Sequence, residues 1–292
     1  MKNIIVVTGG TGFVGSNLIS LFLKKTKYKI ISIDNYSSGN KKNHINNSRI
    51  KYINANTKNI FQILETKKNK IKTIFHFGEF ARIYQSFFKM NECIDSNSVG
   101  SHAVFNFCLT NKIKLIYSAT SASLGNKGRD KDLSPYAFTK AKNLELLENL
   151  KKWFNFKYEV IYFYNVYGAN QISKGSMATV IGIFERCYKN KKPMPVVKPG
   201  NQTRRFTHID DTVKICYLAW KRNKCRHYSI SHKKSYSILQ VAKMFGRKIK
   251  FLPKRSGERY ASALTNINLS KKIYKYFGKK SLKEYINTIK GE

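Results

Sequence analysis

Acidic side chains are scarce in this chain. Its 292 residues hold 16 Asp and Glu against 55 Lys and Arg, a formal net charge of +39. The lysines run along the whole length and are not gathered in an arm or a tail. Asn and Ile, whose codons share the A/T richness of lysine codons, are abundant as well. The excess therefore reads as compositional drift rather than a dedicated nucleic-acid surface, and nucleic acid is expected to bind only non-specifically at low salt. Long apolar runs are also missing. The longest, near Asn17 to Leu23, is too short and too polar-flanked to span a bilayer. The start, MKNIIVVTGG, turns glycine-rich at once and has neither the h-region nor the cleavage site of a signal peptide. A cytoplasmic protein with no membrane attachment is expected. The five cysteines (Cys93, Cys108, Cys187, Cys216, Cys225) are odd in number and scattered, with no C-x-x-C and no zinc spacing. Neither a disulfide framework nor a metal site is expected, only reduced thiols.

What is present supports a sizeable core: 42% hydrophobic and 13% aromatic residues. The first half alternates short apolar runs with helical patterns, as a parallel α/β sheet does. Strands are expected at Ile4 to Thr8, Lys29 to Ile33, Arg49 to Ile53, Lys72 to Phe77, Ile113 to Tyr117 and Glu159 to Phe163. Helices are expected from Gly12 to about Lys24, around Ile60 to Leu64, and from Asn91 to Leu109. Ser134 followed by Pro135 signals the start of another, running past Leu150. After Gly168 the pattern breaks at Gly175, Pro193, Pro195, Pro199 and Gly200 into shorter pieces. The expected division is a dinucleotide-binding part over 1–168 and a smaller lobe over 169–292, interleaved with the last sheet elements.

Thr8 to Gly15 (TGGTGFVG) follows a strand and opens a helix. It fits two spacings at once, Gly9-x-x-Gly12-x-x-Gly15 and Gly10-x-Gly12-x-x-Gly15. Glycines there allow a tight turn and close approach of a pyrophosphate, whose charge meets the helix N-terminus. Asp34 closes the second strand, where a carboxylate accepts from an adenosine ribose and repels a 2′-phosphate. NAD is therefore expected over NADP, although Lys41 and Lys42 stand close by. Ser118-Ala119-Thr120 ends a strand. Tyr136 and Lys140 stand four apart in SPYAFTKAK, which puts a phenol and an ammonium on one helix face.

These motifs resemble the extended short-chain dehydrogenases/reductases of the NAD-dependent epimerase/dehydratase family, most of all UDP-glucose 4-epimerases. The likeness is carried by VVTGGTGFVGSNL, IDNYSSGN, IFHFGEF, SATSASLG, SPYAFTKAK, YFYNVYG and QTRRFTHIDD, in that order. It runs from Met1 to about Asp211 and more weakly to Lys272. The resemblance implies a Rossmann-type doubly wound sheet with a C-terminal substrate-binding lobe. It also implies a homodimer through the helices near Asn91 to Leu109 and Ser134 to Leu150. Tyr136 becomes the acid/base, Lys140 the cation that eases its ionisation and binds the nicotinamide ribose, and Thr120 the donor to the sugar oxygen. NAD is implied at Gly9, Gly12, Phe13, Val14, Gly15, Asp34, Asn35, Ser38, Gly39, Asn56, Thr57, Phe77, Gly78, Asn97, Ser118 and Tyr164. A nucleotide-diphosphate sugar is implied at Asn165, Arg204 and Arg255, with Val196 and Val197 at the uracil and Ser262 beside the sugar.

The chain departs from the family pattern in places. Asn56 replaces an Asp at the adenine. Arg205 replaces the Asp of Arg-Asp-Phe. Gly78-Glu79 replaces Ala-Ala, and a Glu there is unusual and within the reach of the sugar or the nicotinamide carboxamide. Thr120 is followed by Ser121-Ala122 and not by the Asp-Glu of sugar 4,6-dehydratases, so elimination is disfavoured. Epimerisation at C4 through a 4-keto sugar is the expected reaction, with dehydration or 4-keto reduction as alternatives. A small residue at Ser262 also admits UDP-N-acetylhexosamines. A reading of another class is a catalytically inactive, RNA-binding member of the superfamily, against which Thr120, Tyr136 and Lys140 argue.

Overall fold

Ile4–Thr8 form β1, and all five residues are buried, as a strand covered on both faces must be. The chain, described here by a computed structural model over residues 2–121, 131–256 and 273–291, then alternates helix and strand. In order come α1 (Phe13–Lys25), β2 (Lys29–Asp34), β3 (Ile50–Asn54), α2 (Ile60–Leu64), β4 (Ile71–His76) and α3 (Ile83–Phe88). They are followed by α4 (Met90–Ile94), α5 (Ser101–Thr110), β5 (Lys114–Thr120), α6 (Pro135–Phe154) and β6 (Tyr158–Phe163). The later elements are shorter: β7 (Val166–Tyr167), α7 (Val180–Lys189), β8 (Met194–Val197), β9 (Thr203–Arg205), β10 (Thr207–His208) and α8 (Ile209–Arg222). The last are β11 (His227–Ser231), β12 (Ser235–Ser237), α9 (Ile238–Met244), β13 (Ile249–Leu252), β14 (Ile273–Phe277) and α10 (Leu282–Lys290).

Eight strands make one parallel sheet in the order β14-β11-β6-β5-β4-β1-β2-β3. The chain builds outward from β1 through β2 to β3, then returns to place β4 on the other side. The crevice beyond the carboxyl ends of β1 and β4 is thus the topological switch point, where open α/β sheets take their ligands. Side chains alternate across the sheet. Val6, Ile33, Ile74, Leu115 and Val160 pack with α2, α5 and α6. Val7, Phe75, Ile116 and Ile161 pack with α1 and α8. A third core joins Phe184, Val196, Phe206, Val241, Phe245 and Ile286. It holds together the short pairings β8–β13 and β9–β12. Among the described residues no helix is long and apolar enough to cross a membrane.

The helix expected from Asn91 to Leu109 is not one regular helix. Between α4 and α5 the residues Asp95–Gly100 form a π turn. Such a turn widens the helix by one residue and is frequent near functional sites. Here it leaves Asn97 and Gly100 buried, and α5 begins at Ser101, which is buried as well. Apolar periodicity carries no mark of that extra residue, because the faces before and after the turn each look helical.

Candidate active site

The carboxyl ends of β1, β2, β4, β5 and β6 open onto one cleft of about 540 Å³, closed on the far side by residues between Ile172 and Arg255. Its first wall is the glycine turn. Gly9 has φ +68°, and a Cβ there would lie 2.8 Å from the Phe77 carbonyl and from the Gly78 nitrogen. A Cβ on Gly15 would lie 2.1 Å from the Gly9 oxygen. No side chain caps α1, whose N-cap is Gly12, and its first turn holds no acid. Gly9, Gly12, Phe13, Val14 and Gly15 all line the cleft. The arrangement is a backbone cradle at a positive helix end, which fits a pyrophosphate.

The second wall starts at Asp34, 8% exposed. Its carboxylate accepts from the Thr11 amide at 3.0 Å and the Tyr36 amide at 2.9 Å, tying the end of β2 to the glycine turn. Each oxygen keeps acceptor capacity for a ribose hydroxyl. Asn35, Ser38, Asn56 and Thr57 stand on the same wall. Asn56 Oδ1 already accepts from the Lys58 amide at 3.1 Å, so its Nδ2 is the donor left for an adenine. Gly39 lies behind the wall, where a Cβ would lie 2.1 Å from Thr11 Oγ1 and 2.9 Å from Asp34 Oδ1.

The cleft floor carries the chemistry. Ser134 caps α6 by accepting from the Ala137 amide at 3.1 Å, with Pro135 in the first turn. Tyr136 and Lys140 are therefore one turn apart on the same face, and both line the cleft with Phe77, Gly78, Ser118, Thr120 and Ser121. Tyr136 is packed with Phe80, Cys93 and Ala137 and is 8% exposed. Lys140 is 4% exposed. Its ammonium donates to Ser118 O at 2.5 Å, lies 4.6 Å from the Tyr117 ring centre, and makes a short ion pair with Glu79 Oε2. Glu79 thus turns inward and does not reach toward a sugar. Its other oxygen accepts from Ser101 Oγ at 2.8 Å, Tyr117 OH at 2.9 Å and Asn143 Nδ2 at 3.2 Å. Ser101, having given its proton to Glu79, accepts from His76 Nε2 at 2.9 Å, which fixes the tautomer. His76 Nδ1 then accepts from Thr8 Oγ1 at 2.7 Å, and Thr8 Oγ1 accepts from the Phe77 and Gly78 amides.

Three further residues named from the sequence lie off the cleft. Asn97 is fully buried and spent on the chain: it accepts from the Phe80 amide at 2.7 Å and donates to Phe80 O at 3.1 Å and Thr139 Oγ1 at 3.2 Å. Tyr164 is 1% exposed and belongs to the core under α6, while its neighbours Phe163 and Asn165 face the cleft. Val196 is fully buried in the third core, whereas Val197, next along β8, faces the cleft. Alternation along β8 separates Val196 from Val197, while Tyr164 and Asn165 lie between β6 and β7. Asn165, Arg204 and Arg255 line the substrate side. Asn165 donates to Arg205 O at 3.0 Å, and the Arg255 guanidinium stacks 5.2 Å from the Tyr84 ring centre. Arg205 is not among the residues that line the cleft. Ser262 lies outside the described residues.

Sequence reading missed Arg82, which donates to Met177 O at 3.0 Å and lines the cleft beside Tyr136. It also missed Gln202, 2% exposed, which donates to Val197 O at 3.2 Å while its own oxygen is buried with no partner. Asn143 was within reach: it stands seven residues after Tyr136 and three after Lys140, on the same helix face. Among the described residues no group of three metal-binding side chains occurs.

The model of the NAD-dependent epimerase/dehydratase family matches residues 5–231. The chain belongs to this family. Its cofactor is NAD, and the glycine cradle and the wall at Asp34 fit that molecule. Family relatives differ in chemistry. The chain is 27% identical over 253 residues to the ADP-L-glycero-D-manno-heptose-6-epimerase of Brachyspira hyodysenteriae, covering 82% of this chain and 79% of the relative. It is 28% identical over 232 residues to a putative UDP-glucose 4-epimerase of Methanocaldococcus jannaschii, covering 74% of each. The solved UDP-N-acetylglucosamine 4-epimerase of Methanobrevibacter ruminantium, in complex with UDP-N-acetylmuramic acid, superposes with a TM-score of 0.85 at 25% identity, over 99% of this chain and 98% of the other.

Burial lowers the His76 pKa from 6.5 to about 4, with the Lys140 charge acting the same way and the Glu79 charge opposing. The folded protein holds this proton less tightly than the unfolded chain does. Its contribution to stability is complete above pH 6.5, falls below that value, and stops falling near pH 4. The loss amounts to roughly 3 kcal/mol. Urea unfolding of wild type and His76→Gln at pH 7 and pH 4.5 checks this: the acid loss should be larger in wild type, and equal losses would contradict it.

Proposed function

We propose that the chain is an NAD-dependent nucleotide-sugar 4-epimerase acting on a UDP-hexose or UDP-N-acetylhexosamine. The carrying observation is that Thr120, Tyr136 and Lys140 share one cleft with the glycine cradle, and that among the described residues no carboxylate there is available for elimination. The acids among the described lining residues are Asp34 and Glu79. Asp34 clasps the glycine turn and Glu79 is bound to Lys140. Dehydration across two carbons needs an acid and a base beside the sugar, so this cleft favours the reaction that needs Tyr136 alone.

In this reading Tyr136 takes the proton of the sugar hydroxyl and later returns it. Lys140 favours the phenolate by its charge, and Thr120 donates to the sugar oxygen. Bound NAD⁺ supplies the hydride acceptor. Arg204 and Arg255 neutralise the diphosphate, and Val197 with Gln202 meets the base. The nucleotide is thereby held while the sugar stays free to present either face. Residues 1–168 supply mainly the cofactor site and residues 169–292 mainly the substrate site. A homodimer is part of the proposal. Phe87, Phe88, Met90, Ile94, Phe138 and Trp153 are exposed on α3, α4 and α6, a concentration of apolar surface that supports pairing of two copies.

Incubation with a panel of UDP- and GDP-sugars, with products identified by NMR, should give a C4 epimer. Tyr136→Phe should lower turnover by about 100-fold or more while leaving bound NAD in place. A 4-keto-6-deoxy product, or turnover unchanged in Tyr136→Phe, would exclude this reading. Sedimentation equilibrium should give twice the chain mass; a monomer would remove the homodimer.

A further inference from the structure

Behind Lys140 lies a set of buried polar side chains that the chemistry above does not use. Glu79 Oε1 is held by three donors from three elements: Ser101 of α5, Tyr117 of β5 and Asn143 of α6. The carboxylate cannot turn from the ammonium without breaking those bonds. The ammonium has three N–H groups. One goes to Glu79 and one to Ser118 O, leaving the third for the cleft. The Glu79 and Lys140 side chains are 2% and 4% exposed, so water screens the pair little.

The other titratable groups around the pair are neutral, except one. His76 on β4 is neutral above about pH 4, Cys93 on α4 is pushed up to about 11 by burial, and burial with the Glu79 charge raises Tyr117 on β5 well above its usual range. Arg82, on the segment before α3, is the further cation, its pKa lowered by burial against an opposing contribution from Tyr136. Among the described residues, the charged groups that share the cleft with Tyr136 are Lys140, Arg82, Arg204, Arg255, Asp34 and Glu79, of which Lys140 stands one turn along the same helix face and Glu79 is bound to it.

We propose that Glu79 is a positioning residue for Lys140. It fixes the ammonium at the floor of the cleft and cancels part of its field at Tyr136, and so sets the pH range in which the phenol accepts a proton. The proposal rests on Tyr136 as the base. It does not depend on which sugar is turned over.

The test is an ultraviolet titration of the NAD-bound protein. The absorbance of wild type minus Tyr136→Phe isolates the phenolate of Tyr136 without any substrate. The same difference is taken in the Glu79→Gln background, which removes the charge and keeps the size. Its appearance should move to lower pH by about one unit, the size expected for removing one nearby charge in a partly screened site. Glu79→Asp, which draws the carboxylate back but keeps it, should give a smaller shift of the same sign, and it carries the test if the Gln variant does not fold. No shift, or a shift to higher pH, in folded and NAD-bound variants overturns the proposal. If sugar turnover is found, the acid limb of kcat should move with the phenolate and KM should stay constant. A protein that shows the phenolate shift but turns over no sugar would refute the 4-epimerase reading alone.

Discussion

A lysine ammonium that is 4% exposed must be neutralised where it stands. Removing one partner of a buried ion pair typically costs about 3–5 kcal/mol, because the other charge is left without water. Much of the local architecture answers that constraint. The loop after β4 brings Glu79 under the cleft, β5 turns Ser118 O and the Tyr117 ring toward the ammonium, and the π turn is followed by Ser101 at the far carboxylate oxygen. The same bonds run on through His76 to Thr8, and from there to the amides of Phe77 and Gly78. The floor at Lys140 and the glycine cradle are in this way parts of one hydrogen-bonded unit. Displacing either would disturb the other.

The same economy governs the few acids of a chain with 16 of them against 55 basic residues. Glu159 is fully buried where β6 begins, accepting from Lys114 Nζ at 2.8 Å and from the Lys224 amide at 2.9 Å. Asp211 accepts from the Lys279 and Lys280 amides and so ties α8 to the segment after β14. These carboxylates fasten crossings of the chain. Among the described residues the cleft is left with Arg82, Lys140, Arg204 and Arg255 against two carboxylates already engaged within the protein. Its field favours an anionic ligand, and low-dielectric walls strengthen that preference.

The parts of this arrangement set by local chemistry were legible in the sequence. The glycine spacing, the acid at the end of β2, and Ser134-Pro135 before Tyr136 and Lys140 each carry their own physical signature, and the helix and strands they mark are present. Residues whose role depends on facing were less legible. Val196 was named together with Val197 and Tyr164 together with Asn165, but only Val197 and Asn165 line the cleft, because facing was not legible: no strand was expected at β8, and Tyr164 lies one residue past the end of β6. Asn97 stood in the right helix, but the π turn buries it against Phe80. Glu79 was noticed as unusual, but its ion pair with Lys140 was not foreseen. Its partners come from three segments, α5, β5 and α6, that only the folded sheet brings together.

A crystal structure of the protein with NAD⁺ and UDP tests the central claim most directly. The account predicts Lys140 still bonded to Glu79 and Ser118 O, with its third N–H on the nicotinamide ribose, and Arg204 and Arg255 at the diphosphate. A Lys140 ammonium withdrawn from Glu79 to bind the ribose, with the carboxylate turned into the cleft, would contradict it.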